Sequence, residues 1–196
     1  MELLVGGDLR MLLKNSDRPL PADQSRRTIR DVCAGLAFLH SKDTIHGDLK
    51  SANVLLDGAG RAKIGDFGTS RWTQHTNSTG LATYTTKAGK GAALSFAWTA
   101  PEVLSADARS FASDVYSFGM VAWEIVSRQV PWAREALPPQ DIYIRVVFRN
   151  ERPVIPANAP GDVVDIVQAC WAAPPEHRPA ASKVLDKLEN FLSQAR

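Results

Sequence analysis

His46-Gly47-Asp48-Leu49-Lys50-Ser51-Ala52-Asn53-Val54-Leu55-Leu56 is the stretch on which the reading of this chain turns. Polar and ionisable side chains stand at offsets 0, 2, 4 and 7, and an apolar run follows. Asp57-Gly58-Ala59-Gly60 then turns the chain, and a second run, Arg61-Ala62-Lys63-Ile64, leads to Asp66-Phe67-Gly68. Two short apolar runs about an Asp-Gly turn predict a small β-hairpin. Such a hairpin returns Asp66 to the side of Asn53. A carboxylate and an amide oxygen converging there suit Mg²⁺, a hard cation that takes few protein ligands and shares the rest with phosphates and water. Asp48 then stands free to accept a proton, and Lys50 offers a point charge to a phosphoryl group.

Outward from this centre, helical spacing takes over. The first residues read as a short strand, a Gly6-Gly7 turn and a helix over 9–14, and the two prolines of 15–21 predict a loop. Asp23 is placed to cap a helix running to about Ser41. Ile29, Cys33, Leu36, Ala37, Phe38 and Leu39 form its apolar positions. The stretch 68–99 is rich in Thr, Ser, Gly and Ala and reads as a long loop, of the kind that is functional or mobile. Residues 113–127 are apolar nearly all round, which predicts a buried central helix. Three more helices are expected over 140–149, 162–171 and 180–192. The class is α+β, mainly α.

Composition excludes several functions. The chain has 196 residues, 44% hydrophobic and 22% charged, with 5 Trp, so it has the size and apolar content for one domain with a real core. A net charge of +2 gives no electrostatic case for nucleic acid or a membrane surface. The start, with Glu2 and two early glycines, lacks the basic and long apolar regions of a signal peptide. The apolar run 115–126 contains Glu124 and is too short to span a bilayer. No membrane segment is expected, and a cytoplasmic location follows as the simplest expectation. Cys33 and Cys170 make neither a metal site nor a disulfide framework and are expected to be reduced core residues.

The motifs resemble those of the eukaryotic protein kinase family. His46-x-Asp48-Leu49-Lys50-x-x-Asn53 is similar to its catalytic loop, Asp66-Phe67-Gly68 to its metal-binding triplet, and Ala100-Pro101-Glu102 to the motif closing its activation segment. Asp114-Val115-Tyr116-Ser117-Phe118-Gly119 resembles the start of its central helix. Cys170-Trp171, then His177-Arg178-Pro179, resembles the end of its large lobe. The first nine residues, Met1 to Leu9, resemble its hinge. The resemblance covers the whole chain, 1–196, as a partial domain. A complete one begins with a Gly-rich loop, a strand lysine and a helix glutamate. These have no counterpart here, so a large lobe without its small lobe is expected, with Leu55, Ile64 and Phe67 partly exposed.

The resemblance implies a serine/threonine protein kinase that uses ATP and Mg²⁺ on a protein substrate. Asp48 would orient the substrate hydroxyl and accept its proton, a role worth about 10²–10⁴-fold. Lys50 would stabilise the transferring phosphate, and Asn53 and Asp66 would hold the metal. ATP would meet the hinge residues Glu2 and Leu4, with Asp8 at the ribose and Leu55 under the base. Lys50-Ser51-Ala52-Asn53-Val54-Leu55-Leu56, with Trp98-Thr99-Ala100-Pro101-Glu102, is most similar to the tyrosine-kinase-like group, in which Ser95 would face the substrate. Asp114 would accept hydrogen bonds from the catalytic-loop backbone, Glu102 and Arg178 would form a buried ion pair, and His46 would be scaffold.

Gly47 stands where that family usually has an arginine, a common anchor for a phosphorylated activation loop. Simple activation of that kind is therefore not expected, despite a dozen hydroxyl side chains over 69–99. Lys87-Ala88-Gly89-Lys90-Gly91 looks like a phosphate loop, but no Ser or Thr follows Lys90. Two other functions stay open: an inactive pseudokinase serving as an interaction module, and a small-molecule phosphotransferase of the aminoglycoside or choline kinase kind. Lys50, the Ala-Pro-Glu motif and the Asp114 helix weigh against the second.

Overall fold

The apolar spacings build a helical frame. The computed structural model describes residues 6–15, 20–66, 71–72 and 95–194. Among them the chain is mainly helical, as expected, with two two-stranded sheets. α1 (Leu9–Asn15) is capped by Asp8, whose Oδ1 accepts from Met11 N at 2.8 Å. That satisfies one of the orphan amides of the first turn. α2 (Ala22–Ser41) buries Ile29, Val32, Cys33 and Leu36, one face of a 3.6-residue period. β1 (Thr44–Ile45) leads into the loop that carries Asp48. β2 (Val54–Leu56) pairs antiparallel with β3 (Ala62–Ile64), Leu55 opposite Lys63, so the predicted hairpin is present.

Asp57 makes the turn. Its Oδ1 accepts from Ala59 N and Arg61 N, each at 2.9 Å, and its Oδ2 accepts from Arg61 Nε at 2.8 Å. These donors, the Arg61 amide first, hold the carboxyl below its ordinary range. Gly60, at φ +75°, occupies a left-handed position that suits glycine. Gly6 and Gly7 lie along β2: Gly6 N donates to Leu56 O at 3.0 Å and Leu56 N to Gly7 O at 2.9 Å. A Cβ on Gly6 would stand 2.7 Å from Leu56 O, so the close approach needs glycine.

β4 (Arg71–Trp72) pairs with β1. A 3₁₀ turn (Phe96–Trp98) precedes the short α3 (Pro101–Leu104) and α4 (Phe111–Ser127). α4 begins in a reciprocal capping box of Ser110 and Ser113 and ends at Arg128 in the left-handed region. It is the buried central helix that the sequence predicts: Val115, Tyr116, Phe118, Met120, Val121, Ala122, Trp123 and Ile125 are all buried. α5 (Pro139–Tyr143) follows, then α6 (Gly161–Cys170) and α7 (Ala181–Gln194). α2 packs on α4 and α7, and α4 packs on α6. Arg26 on α2 forks onto Asp162 of α6, with Nε and Nη2 at 2.7 and 3.0 Å. Among the described residues no helix is long and apolar enough to cross a membrane.

Four expectations need correction. Asp23 does not cap α2. The helix already starts at Ala22, Pro21 holds the cap position without a side-chain bond, and Asp23 sits in the first turn 3.8 Å from Arg26. Phe38 is not on the buried face; it is 62% exposed, with Lys42 Nζ 5.8 Å from its ring centre. Residues 140–149 are not one α-helix, because α5 widens into a π-helical turn (Ile144–Phe148), with Arg149 N donating to Ile144 O. Ile142 and Val146 still point inward, whereas Ile144 and Phe148 are exposed. Finally, 68–99 is not loop throughout, since it contains β4 and the 3₁₀ turn.

Candidate functional site

The loop between β1 and β2 is fixed by a single buried acid. Asp114, at the start of α4 and 1% exposed, accepts from His46 N at Oδ2 and from Gly47 N at Oδ1, both at 2.8 Å. His40 Nε2 lies 3.1 Å from the same Oδ2. This is the structural role expected of Asp114. Gly47 takes φ +79°, a conformation that costs little only for glycine. His46 is fully buried. Its Nδ1 accepts from Asp48 N at 3.2 Å, which makes Nε2 the donor to Gly65 O at 3.1 Å. His46 is therefore scaffold, pinning the loop to the far strand of the hairpin.

Asp48, Lys50 and Asn53 meet. Lys50 Nζ donates to Asp48 Oδ2 at 2.6 Å and to Ser95 Oγ at 3.0 Å. Asn53 Nδ2 donates to Asp48 O at 2.8 Å and to Asp48 Oδ2 at 3.2 Å. Because its NH₂ faces Asp48, the amide of Asn53 keeps its oxygen as the atom that can take a cation. The hairpin carries Gly65 N to 2.8 Å from Asn53 O, and Asp66 is the next residue, exposed and at φ +55°. An amide oxygen on Asn53 and a carboxylate on Asp66 are ligand types that would suit Mg²⁺, with its other positions left to phosphate and water. Among the described residues no cluster of three or more His, Cys, Asp or Glu forms an alternative metal site.

Other expected residues fall as follows. Leu55 and Ile64 are half-buried. Asp8 lies beside Leu55 through an isolated β-bridge, but one of its oxygens serves as the α1 cap, a role the sequence reading missed. Glu2, Leu4, Phe67 and the 87–91 segment lie outside the described residues. Arg178 Nη1 and Nη2 reach the two oxygens of Glu102 at 2.6 and 2.8 Å, so the expected buried ion pair is formed. Cys33 and Cys170 are free and buried, and burial pushes the Cys33 thiol up to about 12. Sequence reasoning also missed the contacts of Glu124 with Ser51 and Trp98. The available signal was an acid within an otherwise apolar helix, since a buried charge demands partners.

A family model described as protein tyrosine and serine/threonine kinase matches residues 1–188. The chain is 34% identical over 191 residues to the serine/threonine/tyrosine-protein kinase HT1 of Arabidopsis thaliana, covering 97% of this chain and 46% of that protein. It is 35% identical over 198 residues to the serine/threonine-protein kinase CTR1 of the same plant, covering 99% and 23%. The dual specificity protein kinase shkD of Dictyostelium discoideum is 34% identical over 189 residues, covering 94% and 24%. The chain thus spans less than half the length of these curated relatives.

Proposed function

This chain belongs to the protein tyrosine and serine/threonine kinase family, with relatives of the tyrosine-kinase-like kind, and from that membership we propose that it transfers the γ-phosphate of ATP to hydroxyls of a protein substrate. The observation that carries the reading is the junction at Lys50. One ammonium touches both Asp48, the proposed base, and Ser95, the proposed substrate-facing hydroxyl. Asp48 would orient the acceptor hydroxyl and take its proton. Lys50 would meet the charge that spreads over the transferring phosphoryl oxygens. Asn53 and Asp66 would hold Mg²⁺, which would supply positive charge against the nucleotide phosphates.

The nucleotide would lie over β2, with Leu55 against the base, Asp8 at the ribose, and Glu2 and Leu4 at the adenine edge. These residues would form the large-lobe wall of the cleft, and the protein would work in the cytoplasm. The test is transfer of labelled phosphate from MgATP to a generic acceptor protein. Asp48→Asn is expected to lower the rate by about 10²–10⁴-fold with the melting temperature unchanged. Binding of MgATP with no transfer under any condition would replace this reading with that of an interaction module. Transfer only to a free aminoglycoside or choline would replace it with that of a small-molecule phosphotransferase.

A further inference from the structure

A small hollow opens beside the proposed base. Gly47 and Asp48 of the catalytic loop line it, with Ser95 and Thr99 from the segment before Ala100, and Arg109 and Asp114 from the start of α4. Its volume of about 10 Å³ is room for one water, so any larger group meets it at its mouth. Gly47 has no side chain to fill it. The charges around the hollow are engaged, with one exception. Asp48 accepts from Lys50 at 2.6 Å and from Asn53 at 3.2 Å. Asp114 accepts from the amides of His46 and Gly47 and lies 3.1 Å from His40. Arg109 makes no hydrogen bond or ion pair among the described residues.

Arg109 is half-buried, and its backbone leads straight into a fixed turn. Ser110 N donates to Ser113 Oγ at 2.9 Å and Ser113 N to Ser110 Oγ at 3.1 Å, which closes the capping box of α4. A guanidinium on an anchored stem, without an acid of its own, is a receptor for a carboxylate, which it can grip with two parallel N–H bonds. We propose that Arg109 is a specificity-determining residue that pairs with a carboxylate of the protein substrate, carried beside the acceptor hydroxyl. An extended chain advances about 3.3 Å per residue, so a group that shares a one-water hollow with Asp48 is within reach of the acceptor's nearest neighbours. The inference rests on the kinase reading of Asp48 and Ser95, and it names the substrate class that reading leaves open: hydroxyls flanked by an acidic side chain.

Peptides with a single serine acceptor test it. Each carries Glu, Gln or Lys at one flanking position in turn, and each is offered with MgATP to wild type, R109A and R109E. In wild type one position next to the acceptor should favour Glu over Gln by about two- to fivefold in kcat/KM, the range of a partly exposed ion pair. R109A should bring that ratio to one, and R109E should reverse it, so that Lys is preferred there. Arg109 has no partner to lose, so both variants are expected to melt with wild type; R109Q replaces either that does not fold. A wild type indifferent to Glu at every position, or a Glu preference that survives R109A, overturns the proposal. Phosphatase treatment of the chain tests the rival source of the anion. If it abolishes the effect of R109A, the partner is a phosphate on the chain itself and the substrate proposal falls. Anisotropy of the same peptides, labelled with fluorescein, separates the two readings. Peptide binding that prefers Glu in wild type and Lys in R109E, with no phosphotransfer, sinks the kinase reading and leaves Arg109 as the carboxylate receptor.

Discussion

Burial pushes the Glu124 carboxyl from an ordinary 4.5 up to about 7, against the pull of Trp98, Ser51 and Arg10. The unfolded chain releases this proton near 4.5 and the folded chain near 7, so in between the folded state holds the extra proton. The contribution of this group to stability is then complete below about 4.5, declines as pH rises and is gone above about 7. At about 1.4 kcal/mol per unit, the swing is on the order of 3 kcal/mol. E124Q carries no such proton. Its melting temperature relative to wild type is expected to rise between pH 4.5 and 7 and to level off above. A difference that stays constant across that range would contradict the assignment. Asp114 is a second residue whose chemistry outweighs its place in an apolar pattern. Its two oxygens fix the backbone of His46 and Gly47, and this acid the sequence did reveal, through its motif.

At the scale of elements, α4 and α6 meet through the smallest residue available. A Cβ built on Gly119 lies 2.9 Å from the Cβ of Cys170, closer than two packed carbons tolerate. Gly119→Ala would gain about 0.5–1 kcal/mol of helix propensity and lose about 1–3 kcal/mol to overpacking. A net loss of stability is expected in a denaturant melt. Because the clash is with a Cβ, adding Cys170→Ala should not restore the loss, whereas adding Cys170→Gly should remove the clash. The hairpin and α4 were legible in the sequence because a short apolar run, an Asp-Gly turn and an all-apolar helix are local patterns. The π-helical turn after α5 was not, because apolar residues at 142 and 146 fit an α-helix equally well. Phe38 was misjudged because helical spacing tells which residues share a stripe but not where the stripe meets its neighbour.

At the scale of the molecule, Arg178 gathers three distant pieces of chain. It bonds both oxygens of Glu102 in α3, the carbonyls of Ala172 and Ala173 after α6, and Ala112 O at the start of α4. Every guanidinium N–H is used, and the group also lies 5.1 Å from the centre of the Tyr116 ring. Arg178→Ala leaves Glu102 and three carbonyls without their donor. The expected cost is about 3–5 kcal/mol, read as a large fall in melting temperature. Arg178→Lys should recover little, because one ammonium cannot reproduce a planar fork. A loss below about 1 kcal/mol would show the pair to be ornamental.

The linear order of residues was enough to say that Asp48, Lys50 and Asn53 share one loop, that a hairpin follows, and that a buried helix begins near Asp114. Spacings of two to five residues impose those relations wherever the chain goes. The partners that make the loop a site lie too far along the chain for any local period to reach. Ser95 is 45 residues from Lys50, and Glu124 is 73 residues from Ser51. Only packing α4 beneath the loop brought those atoms within hydrogen-bond range. There the requirement that buried polar groups be paired decided which of the many polar side chains meet.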